Sequence, residues 1–106
     1  MDTHSIFDDC RGFQWDKGNN LKNWLKHRVH EGEAEQIFFN EPLLVLGDTE
    51  HSHMENRFWA LGVTDHGRLL FLAFTIRENF IRIISARDMN KKERERYEKF
   101  KTNTKI

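Results

Sequence analysis

Apolar and polar positions recur along the chain with two different periods. From Lys17 to Arg28, Leu21, Trp24, Leu25 and Arg28 fall at helical spacing, which predicts a helix with one apolar stripe. Asn23, Lys26 and His27 occupy a different side of it. "FQWD" (13–16) predicts a short preceding strand, and Asp16 is placed to cap the helix. "EGEAEQIFFNE" predicts a second short helix that buries Ala34, Ile37 and Phe38 and stops at Pro42. The period then changes. "PLLVLGD" (42–48), "RFWALGVTD" (57–65), "RLLFLAFTIRE" (68–78) and "FIRIISAR" (80–87) predict four strands, with turn signals at His66-Gly67 and Glu78-Asn79. Asn90-Lys91-Lys92-Glu93 has the form of a capping box opening a charged helix to about residue 102. The predicted order is β-α-α-β-β-β-β-α, an α+β domain with a mainly antiparallel sheet. Residues 1–11 read as a flexible leader and 12–106 as a single domain.

Composition supports a packed interior: 38% of the 106 residues are apolar, with nine Phe and three Trp. The formal net charge of zero argues against a polyanion partner until the chain is divided. Residues 1–66 hold twelve acidic and six basic side chains, whereas residues 67–106 hold five acidic and eleven basic ones. Such a split gives either one acidic and one basic surface or two halves that pair with each other. Cys10 is the only cysteine, so no internal disulfide is expected, in keeping with a reducing compartment. The first residues carry acids where a secretory signal has bases, and no apolar run approaches a membrane span. A cytoplasmic, soluble protein without membrane contact is expected.

The strand "IRIISAR" (81–87) raises the chemical question. Alternation places Ile81, Ile83, Ser85 and Arg87 on one face, and Phe80, Arg82, Ile84 and Ala86 on the other. Neither face is purely polar, which predicts an interior strand covered on both sides. Arginines held in such a strand need a carboxylate or a phosphate, and the guanidinium fork suits either. For Arg82 the internal alternatives are Asp16, Glu55 or Glu98. "DTEHSHMENR" (48–57) gathers Asp48, Glu50, His51, His53, Glu55 and Arg57, a set suited to acid–base chemistry. Its spacing matches no metal-ligand signature, and neither metal nor cofactor is expected. Lys22, Lys26 and His27 lie on the exposed part of the first helix, where phosphate contact or simple solvation are both open. Tyr97 in the last helix is suited to stacking on a base or to anchoring that helix.

Three blocks, "FQWDKGNNLKNWLKH", "DTEHSHMENRFWALG" and "IRIISARDMNKKERERYE", together resemble the BrnT toxins of type II toxin–antitoxin modules. The resemblance spans about residues 13–98. It implies a fold similar to the RelE-like ribonucleases and a ribonuclease activity that inhibits translation. It also implies a BrnA-like antitoxin with a ribbon-helix-helix part, so that operator DNA is bound only through the antitoxin. One departure stands out: Arg28 replaces the glycine that usually follows Lys-His in the family, and His30 stands where Ser or Asp usually caps the next helix. The join between the two helices is therefore expected to differ.

Metal-free RNA cleavage needs a base for the 2′-hydroxyl, an acid for the leaving oxygen and cations on the phosphate. The resulting catalytic candidates are Arg57, Arg82, Arg87, His27 and Glu55. Lys22, Lys26, His51 and Tyr97 are candidates for RNA binding. The alternative is a catalytically inactive module that only holds a protein partner.

Overall fold

The structure is a computed structural model that describes residues 6–51 and 55–104, without the side chains of His51 and Thr104. The elements are β1 (Gly12–Gln14), α1 (Lys17–His27), α2 (Glu31–Gln36), β2 (Leu44–Gly47), β3 (Arg57–Val63), β4 (Leu69–Arg77), β5 (Phe80–Asp88) and α3 (Lys91–Thr104). The predicted order is observed, with α2 ending earlier than its sequence suggests. The strands form one sheet in the order β1-β5-β4-β3-β2. β1 runs parallel to β5 and every other pairing is antiparallel.

Local chemistry explains several boundaries. The Asn19 amide donates to Asp16 Oδ1 at 3.1 Å and starts α1. Glu78 and Asn79 adopt φ of 52° and 69°, the positive pair that a two-residue turn between β4 and β5 requires. At α3 the capping box is complete: Asn90 N–H donates to Glu93 Oε1 and Glu93 N–H to Asn90 Oδ1, both at 2.9 Å. The join between α1 and α2 keeps the backbone geometry a glycine would favour, because Arg28 itself takes the left-handed conformation (φ 54°, ψ 41°). That costs an L-residue roughly 1 kcal/mol. Arg68 offsets it by donating to the carbonyls of His27 (3.1 Å) and Arg28 (2.9 Å), two of the acceptors left open at the helix end.

α1 is turned differently from its predicted stripe. Asn23 is its buried residue, and its Oδ1 accepts from the Ala86 amide at 3.2 Å. β1 pairs with β5 only as far as Arg82. The amide of Ala86 lies past that point, so a side-chain oxygen takes over from a strand partner. With Asn23 inward, Leu21 and Leu25 point to solvent at 57% and 60% exposure. The expectation of a buried leucine stripe is corrected by this polar contact.

One sheet face packs against α1, α2 and the start of the chain. Phe58, Ala60, Leu70, Leu72, Phe74, Ile81, Ile83 and Ala86 meet Val29, Ala34, Ile37 and Phe38. Residues 6–11, expected as a flexible leader, belong to this packing. The Phe7 ring lies 5.6 Å from Phe38 and 5.9 Å from Phe74, and the Arg11 amide donates to the Asn79 carbonyl at 2.7 Å. Residues 1–5 lie outside the described residues. On the opposite face α3 lays Tyr97 over Leu61, where its hydroxyl donates to the Pro42 carbonyl at 2.6 Å. Among the described residues no helix is long and apolar enough to cross a membrane.

Gly62 lets α2 approach the sheet. A Cβ there would stand 2.8 Å from Ile37 Cβ, too close for either backbone-anchored atom to yield cheaply. Gly62→Ala is expected to lower unfolding free energy by about 1–3 kcal/mol in urea titration. An unchanged midpoint would show that α2 moves freely.

Candidate RNA-binding face of the sheet

Strict alternation separates Arg82 from Arg87, but the register of β5 does not keep strict alternation. Phe74 pairs with Ile83 and the preceding Ala73 with Ser85, so Ile84 is an extra residue without a partner. One added residue inverts the facing of everything beyond it. Ile81, Ile83 and Ala86 therefore share the helix-covered face, and Arg82, Ser85 and Arg87 share the other. The reading of β5 by simple period is corrected here, and the correction brings the two arginines together.

Three rows cross that second face. Arg57 stands opposite Thr75, which stands opposite Arg82. The next row is Trp59, Ala73 and Ser85, and the third is Leu61, Phe71 and Arg87. Arg57 and Arg82 are two strand spacings apart, roughly 10 Å between backbones. Arg57, Arg82 and Arg87 are each half-buried, whereas Arg77 is exposed.

Their electrostatic surroundings differ. Arg87 lies 4.2 Å from the centre of the Phe71 ring and makes a two-pronged pair with Glu93, at 2.8 and 2.9 Å. Burial pushes the Glu93 carboxyl up, but the Arg87 fork and the Asn90 amide outweigh it and hold the group below its ordinary range. Arg77 pairs with Glu55 at 3.0 Å, at the end of the sheet. Among the described residues no ion pair or side-chain hydrogen bond holds Arg82. Arg96 reaches over from α3 to within 5.4 Å of the Trp59 ring, and Phe71 lies 5.9 Å from that ring on the same face. Thr75 between the first two arginines is buried, its hydroxyl donating to the Asn56 carbonyl at 2.7 Å.

Cations around an aromatic ring on a sheet surface suit a strand of nucleic acid: guanidiniums for phosphates, a ring for a base. The comparisons with known proteins bear on this. Residues 15–93 match the family model described as "Ribonuclease toxin, BrnT, of type II toxin-antitoxin system". The chain belongs to the BrnT family. Among solved structures it is similar to the 1.1 Å crystal structure of the Brucella abortus ribonuclease toxin BrnT, with 17% identity and a TM-score of 0.59. That match covers 76% of this chain and 97% of the Brucella chain, and at this identity it speaks for the fold. No curated protein sequence matches significantly. As a member of a type II toxin family, the BrnT chain has an antitoxin for a partner.

The candidates named from sequence divide between two regions of this BrnT fold. Arg57, Arg82 and Arg87 come together on the sheet face, and Glu55 lies at its margin, bound to Arg77. His27, Lys22 and Lys26 belong to α1, which packs on β5 through Asn23. His27 sits near Asp88, whose side chain falls on the helix-covered face opposite Arg87. The expected use of Tyr97 for base stacking is corrected: on the sheet-facing side of α3 the residue is 1% exposed. Burial, then the charge of Glu98, push its hydroxyl up to about 12, so it stays a neutral donor. The His51 side chain and His53 lie outside the described residues. Among the described residues no cluster of three or more His, Cys, Asp or Glu is placed to hold a metal ion.

Sequence reasoning missed Trp59, Phe71 and Arg96, although Arg57-x-Trp59 already shares one face by simple period. It also missed Arg68, whose guanidinium binds Asp88 at 2.7 Å and Glu33 at 3.2 Å while closing α1. Hydrogen bonds from Arg68 hold the Asp88 carboxyl below its usual range against the effect of burial.

Asp88 and Glu93 both titrate lower in the folded chain than unfolded. Their contribution is therefore present above the ordinary values of 3.8 and 4.5 and is lost as pH falls through the depressed ones. Unfolding free energy is expected to drop on acidification below about pH 4.5. Glu93→Gln, which keeps a capping oxygen but no charge, should cost roughly 1–2 kcal/mol at pH 7 and flatten the acid limb. Parallel pH profiles for the two proteins would show that the Arg87 pair is not what acid breaks.

Proposed function

We propose that this chain is an endoribonuclease toxin that binds RNA on the β3–β5 face and cleaves it without a metal ion, thereby inhibiting translation. A BrnA-like ribbon-helix-helix antitoxin neutralises it, and the complex reaches operator DNA through the antitoxin alone. Support comes from family membership and from one geometric observation: the extra residue in β5 that collects Arg82 and Arg87 beside Arg57 and Trp59.

In this reading Arg82 takes the scissile phosphate, because among the described residues it has no internal acid to surrender. Arg57 and Arg87 stabilise the charge that grows on the non-bridging oxygens as the 2′-oxygen gives its proton to water and attacks phosphorus, and the 5′-oxygen departs and takes a proton from water. Phe71 and Glu93 fix the Arg87 guanidinium beforehand, so little reorganisation remains when the substrate arrives. Trp59 stacks a neighbouring base.

The expected outcome for Arg82→Ala is a loss of RNA cleavage on the order of 10²–10³ with the melting temperature nearly unchanged. Arg57→Ala and Arg87→Ala behave in the same direction, whereas Arg77→Ala, at the exposed end of β4 and outside the three rows, changes cleavage little. A folded Arg82→Ala chain that cuts RNA at the normal rate defeats the assignment.

One observation favours the second reading, a passive partner-binding module. The described residues of the arginine face include no imidazole, and His27 lies behind the sheet. Expression that stops growth without RNA decay would establish that reading instead.

A further inference from the structure

α1 buries an asparagine and exposes leucines, the reverse of a helix whose apolar stripe serves the core. Leu21 and Leu25 stand one turn apart at 57% and 60% exposure, so the two side chains form one outward ridge. Beside them the half-buried Trp24 is flanked on two sides: its ring stacks on His30 at 4.0 Å and carries the Arg28 guanidinium at 5.1 Å. Lys17, Asn20, Leu21, Trp24 and His30 line a shallow groove of about 330 Å³ between α1 and the start of α2.

The helix itself brings charge of one sign to this ridge. α1 contains Lys17, Lys22 and Lys26 and no acid, within a half of the chain that is acidic in total. At 100° per residue, Lys22 and Lys26 lie on one side of the leucines and Lys17 on the other. Two acids border it: Asp16 caps the helix, and Glu31 accepts from the groove-lining Asn20 Nδ2 at 3.2 Å.

We propose that this outer face of α1 is the docking surface for an acidic amphipathic helix of the antitoxin, an inference that rests on the toxin–antitoxin reading of the chain. Apolar side chains of that helix cover Leu21 and Leu25 and enter the groove beside Trp24, and its flanking carboxylates meet the lysines. RNA fits less well, since phosphates satisfy the lysines but leave both leucines in water. A second copy of the chain fits less well too, because a two-fold contact through this face opposes lysine to lysine.

The test uses the full chain and a synthetic helical peptide with leucines three and four residues apart flanked by glutamates, followed by fluorescence anisotropy. Binding is expected to weaken by about tenfold or more in Leu21→Ser and in Leu25→Ser, both solvent-facing changes that leave the fold intact. It should also weaken in Lys22→Glu/Lys26→Glu and with rising salt. Failure of the peptide to bind, or binding that survives both serine substitutions, overturns the proposal. So does displacement of the peptide by a single-stranded RNA, or self-association in sedimentation that Leu21→Ser abolishes. RNA cleavage by the two serine variants stays at the parent level if the sheet-face reading holds. Loss of that reading through Arg82→Ala is therefore separable from loss of this one.

Discussion

A single unpaired residue in β5 decides what the rest of the sheet can do. Side chains alternate with a period of two, so a strand carrying Arg82 and Arg87 without an insertion would aim them at opposite faces. One guanidinium would then enter the layer formed by Phe58, Leu72 and Phe74, where a lone charge is costly. The extra residue, Ile84, removes the conflict. Ile81, Ile83 and Ala86 all reach the apolar side, and both arginines reach the other.

Two arginines then hold the edges of this arrangement, one on each face. On the helix side Arg68 links the ends of β4 and β5 to α1 and α2 through Asp88, Glu33 and two open carbonyls. On the other side Arg87 links β5 to α3 through Glu93. Glu93 serves twice, as the capping-box carboxylate of α3 and as the acid that fixes Arg87. The formation of the last helix and the placement of a candidate functional guanidinium are thus one event.

The fold was largely readable from local patterns. Element order, the turn at Glu78-Asn79 and the capping box at Asn90 depend on near neighbours, and near neighbours are what a sequence displays. The arginine face was only half readable. Arg57 and Trp59 share a face by simple period, but the facing of Arg87 depends on a bulge that no residue in "IRIISAR" announces. The placement of Tyr97 turned on a partner, the Pro42 carbonyl, that is distant in sequence. Arg68 was invisible for the same reason, since each of its four acceptors lies twenty or more residues away.

The most instructive departure is α1, because its periodicity was read correctly and its orientation was not. A leucine stripe predicts burial only when burial holds the helix in place. Here the ends do that work: Asp16 caps the first turn, Arg68 closes the last carbonyls, and Asn23 ties the middle to an amide of β5 that lacks a strand neighbour. A helix held by polar contacts at three points is free to present its apolar side outward. The cost of that exposure falls on the isolated chain, and it is recovered only when something apolar covers Leu21 and Leu25. The direction of α1 is therefore better understood as a property of an assembly than of the domain alone.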